Sequence, residues 1–397
     1  MHAYLVILLL SLSIGLQPVS TDLYLPALPG LALDLHASVS MVQYTLTGLL
    51  LAFGISQLLW GPFSDKVGRR PIMLFGLALY LVAAIGCVLS TTIEMLVVWR
   101  VVQGAAMGAV ITSARAVVRD LYQPLEGARI MSKAMTGLGA MACTSPPIGG
   151  FLSQHWGWQV ALMSVVVYAA GTLALVAWKF EETVSTRNPD ALHLPTMLRI
   201  WWQVLCHPTF RAFALLSVAA YGALFTYLAT SSFVFIQVLH LSGLQLGWIL
   251  SSMSLVYITG TLVCRYLLRH IGMRKTIAWA GASSALSGLS LCGLVYTDHA
   301  TATALVLAMY PMILAHGIHQ PIGQSGAVGP FPLSAGAASA MNGFLMMLAA
   351  FATGAWLGGS IDGTLFPLAH GVAFWGLVLA LTAWTLVQWH GEPQTTD

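Results

Sequence analysis

The segment GPFSDKVGRRP, residues 61–71, holds four charged side chains, Asp65, Lys66, Arg69 and Arg70. Charged residues make up only 7% of the 397-residue chain, so this density requires a local cause. Apolar stretches of about twenty residues flank the segment on both sides. The pattern therefore places the segment in a connection between two hydrophobic helices.

The composition is that of an integral membrane protein. Hydrophobic residues make up 58% of the chain and the mean hydropathy is +0.82, both well above the values of soluble domains. The first apolar stretch has no Lys or Arg before it and continues through Gln17 and Asp22, which favours a retained helix over a cleaved secretory signal. Stretches long enough to cross a bilayer predict an all-α membrane protein with twelve transmembrane helices, at residues 4–28, 41–62, 72–92, 95–117, 134–153, 157–178, 212–238, 246–264, 276–296, 301–322, 336–359 and 366–388.

One long connection divides the chain near its middle. It predicts an N-terminal six-helix bundle over residues 1–180, a cytoplasmic linker over 181–210 and a C-terminal six-helix bundle over 211–397. Within the linker, residues 195–206 are amphipathic, with two adjacent tryptophans close to Arg199. That pattern is typical of a helix lying at the membrane interface.

The cations indicate the orientation of the chain in the membrane. Lys and Arg side chains concentrate in alternate connections, which the positive-inside bias places in the cytoplasm together with both termini. The net charge of +3 therefore reflects topology and gives no indication of nucleic-acid binding. These cations are Lys66, Arg69, Arg70, Arg119, Arg129, Lys133, Lys179, Arg187, Arg199, Arg211, Arg265, Arg269, Arg274 and Lys275.

The opening segment resembles the loop signature of the major facilitator superfamily, G-x-x-x-D-x-x-G-R-R, matched at Gly61, Asp65, Gly68, Arg69 and Arg70. The resemblance implies a transporter built from two pseudo-symmetric six-helix bundles that works by alternating access. It also implies that Asp65 and Arg69 form an inner latch with Asp120, which holds the two halves together while the protein faces outward.

An internal repeat points to the same architecture. A shift of 204 positions aligns DKVGRRP with RHIGMRK, so that Gly68 meets Gly272 and Arg70 meets Arg274. Arg269 stands at the position of Asp65, so the second copy has no acid there. Parallel repeats of this kind are expected in the superfamily.

A second motif, RVVQGAAMGA at residues 100–109, resembles the superfamily's helix 4 motif. Arg100 falls inside a predicted span, where a charge is costly unless it is paired; the alternative is that it snorkels to the outer surface. Asp22, in STDLYLPALP, falls at a similar depth in helix 1. We therefore expect Asp22 and Arg100 to face each other across a cavity and to couple transport to protons.

A third motif, SPPIGGFL at residues 145–152, resembles the antiporter signature G-P-x-x-G-G, with Ser145 in place of the first glycine and Pro146, Gly149 and Gly150 retained. Prolines bend a helix and glycines permit close contact with a neighbour. An ordinary kinked helix is the alternative interpretation.

Together with ARAVVRDLY (114–122), SSFVFIQVLHLS (231–242) and SAGAASAMNGF (334–344), these motifs resemble the bicyclomycin and chloramphenicol resistance branch, Bcr/CflA, of the drug:proton antiporters. The resemblance implies multidrug efflux driven by protons across a bacterial inner membrane, by a monomer without a cofactor. Its partners would be a small-molecule substrate, protons and lipid. A proton-coupled importer of a small nutrient on the same fold is the alternative.

Polar and aromatic side chains in the spans are candidates for the substrate cavity. His316 and His319 share one face of helix 10, where polar packing and a substrate or proton role both remain open. The sequence has no G-x-x-x-x-G-K-[ST] loop for ATP and no clustered catalytic or metal-ligating residues, so an ATP-driven pump or an enzyme is not favoured. The candidate cavity residues are Tyr24, Gln43, Tyr44, Gln103, Tyr221, Phe225, Tyr257 and His316.

Overall fold

A computed structural model of the chain describes residues 3–122, 124–184 and 192–390, and all regular structure in those ranges is helical. The described residues divide into two compact units. The first unit contains the chain up to Met197 together with Ser242–Ser251, and the second contains Leu198–Leu241 and the chain from Ser252 onward. Within the predicted linker, residues 185–191, including Arg187, lie outside the described residues.

The first unit is built mainly on α5, which packs against α3 and α4, while α1 packs against α6 and α4 against α7. Side-chain caps begin two of these helices: Ser38 Oγ accepts the N–H of Met41 and Thr92 Oγ1 accepts the N–H of Met95, each at 3.3 Å. The helices are α1 (Ala3–Thr21), α2 (Leu28–Asp34), α3 (Val39–Val67), α4 (Arg69–Val88), α5 (Ile93–Leu121), α6 (Pro124–Trp156) and α7 (Trp158–Lys179).

The second unit is organised around α9, which packs against α11, α12 and α13. Small residues allow this close packing, since Ala212, Ala219 and Ala223 of α9 are buried. The remaining helices are α8 (Leu194–Cys206), which crosses the boundary between the units, α9 (Pro208–Ser232), α10 (Gly243–Tyr296), α11 (Ala302–Val328), α12 (Ala335–Ser360), α13 (Phe366–Trp384) and α14 (Leu386–His390).

In the described part of the chain, ten segments are long and apolar enough to cross a membrane. One of them, α10, contains a break at Gly272, where φ is 76° and ψ is 171°. The aligned Gly68 also has a positive φ, of 119°, between α3 and α4. The 204-residue shift therefore pairs two glycines at which a helix is interrupted.

Several helix bounds differ from the sequence expectation. The first helix ends at Thr21 instead of continuing to residue 28, because Pro26 and Pro29 cannot donate to an α-helical ladder. A 3₁₀ turn, Leu25–Ala27, follows the break. In contrast, α6 begins ten residues earlier than the predicted span 134–153, since a helix can continue beyond the apolar segment that marks it in the sequence.

Candidate functional site

The first candidate site is a charge cluster between α3, α4 and α5, formed by Asp65, Arg69 and Asp120. The Arg69 side chain is 4% exposed and each of its nitrogens has an acceptor. Nη2 lies 2.6 Å from Asp65 Oδ1, Nε donates to Asp120 Oδ2 at 2.9 Å, and Nη1 donates to Ser64 Oγ at 2.8 Å. The three residues predicted for the latch are thus together, and their role in holding the two halves stays a prediction.

The two carboxylates of the charge cluster have further partners. Arg119 Nη2 lies 3.6 Å from Asp65 Oδ1, and Thr183 Oγ1 donates to Asp120 Oδ2 at 3.2 Å. Asp65 is 40% exposed and Asp120 only 15%. Since water screens an exposed pair, the contact with Asp120 contributes more to holding Arg69 than the contact with Asp65.

Glu182, which the sequence analysis missed, occupies the start of α4. Its Oε1 accepts the N–H of Arg69 at 2.9 Å and its Oε2 accepts the N–H of Arg70 at 3.2 Å. Oε1 also accepts the N–H groups of Thr183 at 2.9 Å and Val184 at 3.1 Å. We call this arrangement the Glu182 clamp. A carboxylate is favourable there because the first N–H groups of a helix have no partner within it.

The Glu182 clamp explains the second glycine of the loop motif. Gly68 has a φ of 119°, which L side chains rarely adopt, and a Cβ at this position would collide with the Glu182 carboxylate. Gly61, the first glycine of the motif, is not part of the turn between α3 and α4. Gly61 lies inside α3, where a Cβ would meet its nearest neighbour, in Thr112, at an ordinary 3.7 Å.

Arg70, predicted for the latch, is not part of the charge cluster. Its Nε donates to Phe180 O at 2.7 Å and its Nη2 donates to Ala177 O at 3.0 Å. These carbonyls lie at the end of α7, where cations and donors are favourable. Arg70 therefore ties the start of α4 to the end of α7.

The second candidate site surrounds Arg100, which is fully buried; the snorkelling alternative is thus excluded. Its Nη1 donates to Ser20 O at 3.0 Å and to Gln103 Oε1 at 3.1 Å. Its guanidinium carbon lies 3.9 Å from the centre of the Tyr24 ring, a cation–π contact. Nε and Nη2 have no hydrogen-bond partner among the described residues.

Asp22 lies directly after α1, at the helix break. Its N–H donates to Pro18 O, in the last turn of α1, at 2.8 Å. Its carboxylate accepts a hydrogen bond from Thr21 Oγ1 at 2.7 Å. The described residues contain no ion pair between Asp22 and Arg100, so the two side chains are not in direct contact, and that they face each other across a cavity stays a prediction. Depth in the membrane follows from sequence position, whereas the helix break at which Asp22 lies does not.

The antiporter motif on α6 contacts this same break. A Cβ on Gly149 would collide with the backbone carbonyl of Leu23, and a Cβ on Gly150 would collide with the carbonyl of Gly243. Close approach of helices thus requires glycine at both positions. The motif therefore lies directly against the residue that follows Asp22.

The prolines of the motif remove backbone N–H donors from α6, and a serine side chain takes the place of one of these donors. Pro147 has no N–H for the carbonyl of Cys143, four residues earlier. Ser251 Oγ, from the first turns of α10, donates to that carbonyl at 2.6 Å. Sequence reasoning missed Ser251, since no motif marks it.

The third candidate site lies in the second unit around His316. The His316 Nδ1 is 3.2 Å from Ala220 O, and because a carbonyl oxygen only accepts, Nδ1 is the donor in this contact. The ring centres of His316 and Tyr257 are 5.5 Å apart. His319 has a different neighbour, with its Nε2 3.5 Å from Ser284 Oγ.

The predicted cavity residues fall in both units, and that they line one cavity stays a prediction. In the first unit, Tyr24 and Gln103 contact Arg100. In the second unit, Phe225 is buried and Tyr257 contacts His316. Of the other predicted cavity residues, Gln43 is buried, and Tyr44 and Tyr221 are half-buried.

The fold and the buried ionisable groups define a class of protein. Apolar helices long enough to span a bilayer make it a multi-pass membrane protein, and charged side chains buried within such helices are typical of transporters. The chain belongs to the Major Facilitator Superfamily, whose family model matches residues 10–355.

Relatives of known name confirm the resemblance to the resistance branch. The chain is 27% identical over 342 residues to Multidrug resistance protein D of Escherichia coli (strain K12), covering 85% of this chain and 84% of that protein. It is 33% identical over 210 residues to Chloramphenicol resistance protein of Pseudomonas aeruginosa, covering 51% of this chain and 49% of that protein.

Solved structures share the fold. The xylose transporter XylE from E. coli, in a partially occluded inward-open conformation, superposes with a TM-score of 0.77 over 100% of this chain and 99% of its own. The two are only 14% identical in sequence, so the likeness concerns the fold alone.

Proposed function

We propose that the protein exports drugs or small amphipathic metabolites by exchange with protons across a bacterial inner membrane. Two relatives with the names of resistance proteins support export of such compounds. The alternative, a nutrient importer, is not favoured, because the likeness to a sugar transporter is restricted to the fold.

The observation that carries the proposal is the setting of Asp22. Its carboxylate lies at a helix break, contacts Thr21 and has no cation within ion-pair distance among the described residues. Arg100, at a similar depth, is held instead by a carbonyl, an amide and a tyrosine ring. A carboxyl group inside a membrane is less costly when it is neutral, so Asp22 is the group best placed to bind and release a proton.

The antiporter motif connects the protonation of Asp22 to the movement of a helix. Gly149 of α6 contacts the backbone at Leu23, immediately after Asp22. Protonation of Asp22 changes the solvation of the helix break. Because α6 contacts the break, a displacement of the backbone there moves α6. In the cycle we propose, Asp22 takes a proton from outside as the drug leaves and releases it to the cytoplasm as a new drug binds.

The finer architecture is part of the proposal. The ten apolar segments, the division of α10 at Gly272 and the 33-residue α6 together support twelve spans. We place both termini in the cytoplasm, six spans in each of two pseudo-symmetric bundles, and the charge cluster at the cytoplasmic side as a latch. We propose that a single chain is the functional form.

Proton movement in inside-out vesicles tests the function. Vesicles are energised to an acid interior and offered a panel of amphipathic drugs and metabolites. We expect at least one compound to dissipate the gradient with the native chain and to fail with Asp22→Asn. Asp298→Asn is the matched control, because Asp298 is exposed and has a positive φ that asparagine tolerates.

Each outcome has a clear meaning. Loss of the response in Asp22→Asn but not in Asp298→Asn supports exchange through Asp22. A full response in Asp22→Asn would contradict the role of that carboxylate. If no compound dissipates the gradient although the protein is folded, proton-coupled export itself is contradicted.

A further inference from the structure

The second unit has an open groove of about 450 Å³ between α9 and α12. Ten of the eleven described residues that line it are apolar, and Arg211 is the exception. The walls include Phe210, Ala214, Leu345, Ala349 and Leu386. Among these side chains, only that of Arg211 can hydrogen-bond to a polar ligand.

Arg211 is fixed so that part of its guanidinium stays available. Its Nε donates to Leu205 O at 2.8 Å, across the junction between α8 and α9. Among the described residues, its two terminal nitrogens donate no hydrogen bond and form no ion pair. A guanidinium presents its donors as a planar fork that matches the oxygens of a phosphate.

The shape of the groove suits an extended apolar chain. Phe210 and Val218 of α9 lie eight positions apart, about 12 Å at 1.5 Å per residue. Leu345 to Ala352 provides about 10 Å of a second wall on α12. Arg211 lies near the first residues of α9, so the cation is at one end of the groove and the aliphatic walls extend away from it.

The neighbouring helix places this end at the membrane surface. On α8, Leu198 and Trp202 are 51% and 69% exposed and lie four residues apart, on one face. Arg199 is exposed beside them. An exposed apolar stripe with an aromatic and a cation is typical of a helix lying in the headgroup region, and Leu205, in the last turn of α8, lines the groove.

We propose that this groove binds an anionic phospholipid, with one acyl chain between α9 and α12 and the phosphate on Arg211. An apolar channel with a single cation at its interfacial end matches the two chemical parts of such a lipid. The site is separate from Asp22 and Arg100, and the proposal does not depend on the direction of transport.

Native mass spectrometry of the full chain in detergent tests the site. The protein is titrated separately with dioleoyl phosphatidylglycerol, dioleoyl phosphatidylcholine and inorganic phosphate. We expect phosphatidylglycerol to bind about fivefold more tightly than phosphatidylcholine, from the usual attraction of one interfacial cation for an anionic headgroup. Inorganic phosphate at millimolar concentration should not compete.

Three variants locate the binding. Arg211→Gln should remove the preference for phosphatidylglycerol, whereas Arg269→Gln, at another exposed cation of the same unit, should keep it. Ala349→Trp fills the groove with Arg211 intact and should reduce binding of both lipids. A melting curve of each variant confirms that it is folded.

Any of three results would overturn the proposal: equal binding of the two lipids by the native chain, unchanged binding in folded Ala349→Trp, or competition by inorganic phosphate. The last would identify Arg211 as a site for free phosphate. Equal losses in Arg211→Gln and Arg269→Gln would show a general charge effect and would also contradict a specific site.

Discussion

At the scale of single residues, the loop motif is explained only with Glu182 included. The sequence indicated Asp120 as the partner of Arg69, because a family motif marks it, and the two are in contact. Glu182 follows Arg69 by 113 residues, and nothing in its spacing separates it from the adjacent Glu181. A long-range helix cap of this kind requires coordinates.

Replacement of Glu182 should weaken the clamp. We expect Glu182→Gln to lower the free energy of unfolding by about 1 kcal/mol, because a neutral amide accepts hydrogen bonds less strongly and solvent screens part of the difference. Glu181→Gln is the matched control, since Glu181 is exposed and adjacent. Melting curves of the purified proteins at neutral pH measure the effect, and equal curves would contradict it.

The clamp should also be lost in acid. Burial raises the pKa of Glu182, but N–H donors from Val184, Arg69, Arg70 and Thr183 outweigh it and hold the pKa below its usual range. A lowered pKa in the folded state contributes stability above the usual value of about 4.3 and loses it as pH falls through the lowered value. The difference in melting temperature between native and Glu182→Gln should therefore be constant from pH 8 to pH 6 and shrink below about pH 4.

Asp65→Asn should affect transport more than folding. Asp65 is 40% exposed, and Arg69 keeps Asp120 and Ser64 in the variant, so little stability is lost. If the charge cluster acts as a latch, we expect turnover to fall about tenfold, equivalent to about 1.4 kcal/mol in the barrier, with substrate affinity nearly unchanged. Turnover and binding are measured in the same proteoliposomes; unaltered turnover would contradict the latch.

At the scale of helices, α6 combines a weakened ladder with very close contacts. Pro147 leaves the Cys143 carbonyl to Ser251, and Gly149 and Gly150 bring backbone against backbone. The sequence motif predicted a bent or closely packed helix, and the close packing is confirmed by these contacts. The motif did not indicate which residues α6 contacts, because the rotation of a helix about its axis and the break after α1 depend on tertiary packing.

Gly149→Ala should disturb this contact strongly. The added methyl group would collide with the Leu23 carbonyl, and overpacking of this kind costs typically about 1–3 kcal/mol. Gly171→Ala on α7 is the control, because a Cβ there has open space and alanine favours a helix by about 0.5–1 kcal/mol. The melting temperature and the rate of drug-dependent proton movement should both fall in Gly149→Ala and not in Gly171→Ala. A fully active, equally stable Gly149→Ala would contradict the packing role.

At the scale of the whole molecule, hydropathy predicted the membrane class and the approximate place of each helix. Ten apolar segments and a family match over residues 10–355 confirm the membrane class, and the count of twelve spans stays a prediction. Hydropathy alone does not decide which side chains pair, and the relation of Asp22 to Arg100 stays a prediction. Hydropathy gives depth along a helix, whereas pairing also requires the azimuth of each side chain and the place where a helix breaks.

The proposed orientation is tested with a native thiol. Cys206 is exposed at the end of α8 and should be cytoplasmic. In intact cells it should react with a membrane-permeant maleimide and not with an impermeant one. Asp298→Cys, on the opposite side in this topology, provides the control and should react with both reagents; the reverse pattern would invert the topology.

The Glu182 clamp also has a consequence for biosynthesis. A ribosome adds roughly 5 to 20 residues per second, so the amide groups at the start of α4 are made roughly 6 to 23 seconds before the carboxylate that they bind. During that interval the loop motif is present but incomplete. The clamp can therefore close only after α7 has been synthesised, so its closure would report that the last helix of the predicted N-terminal bundle, residues 1–180, has been made.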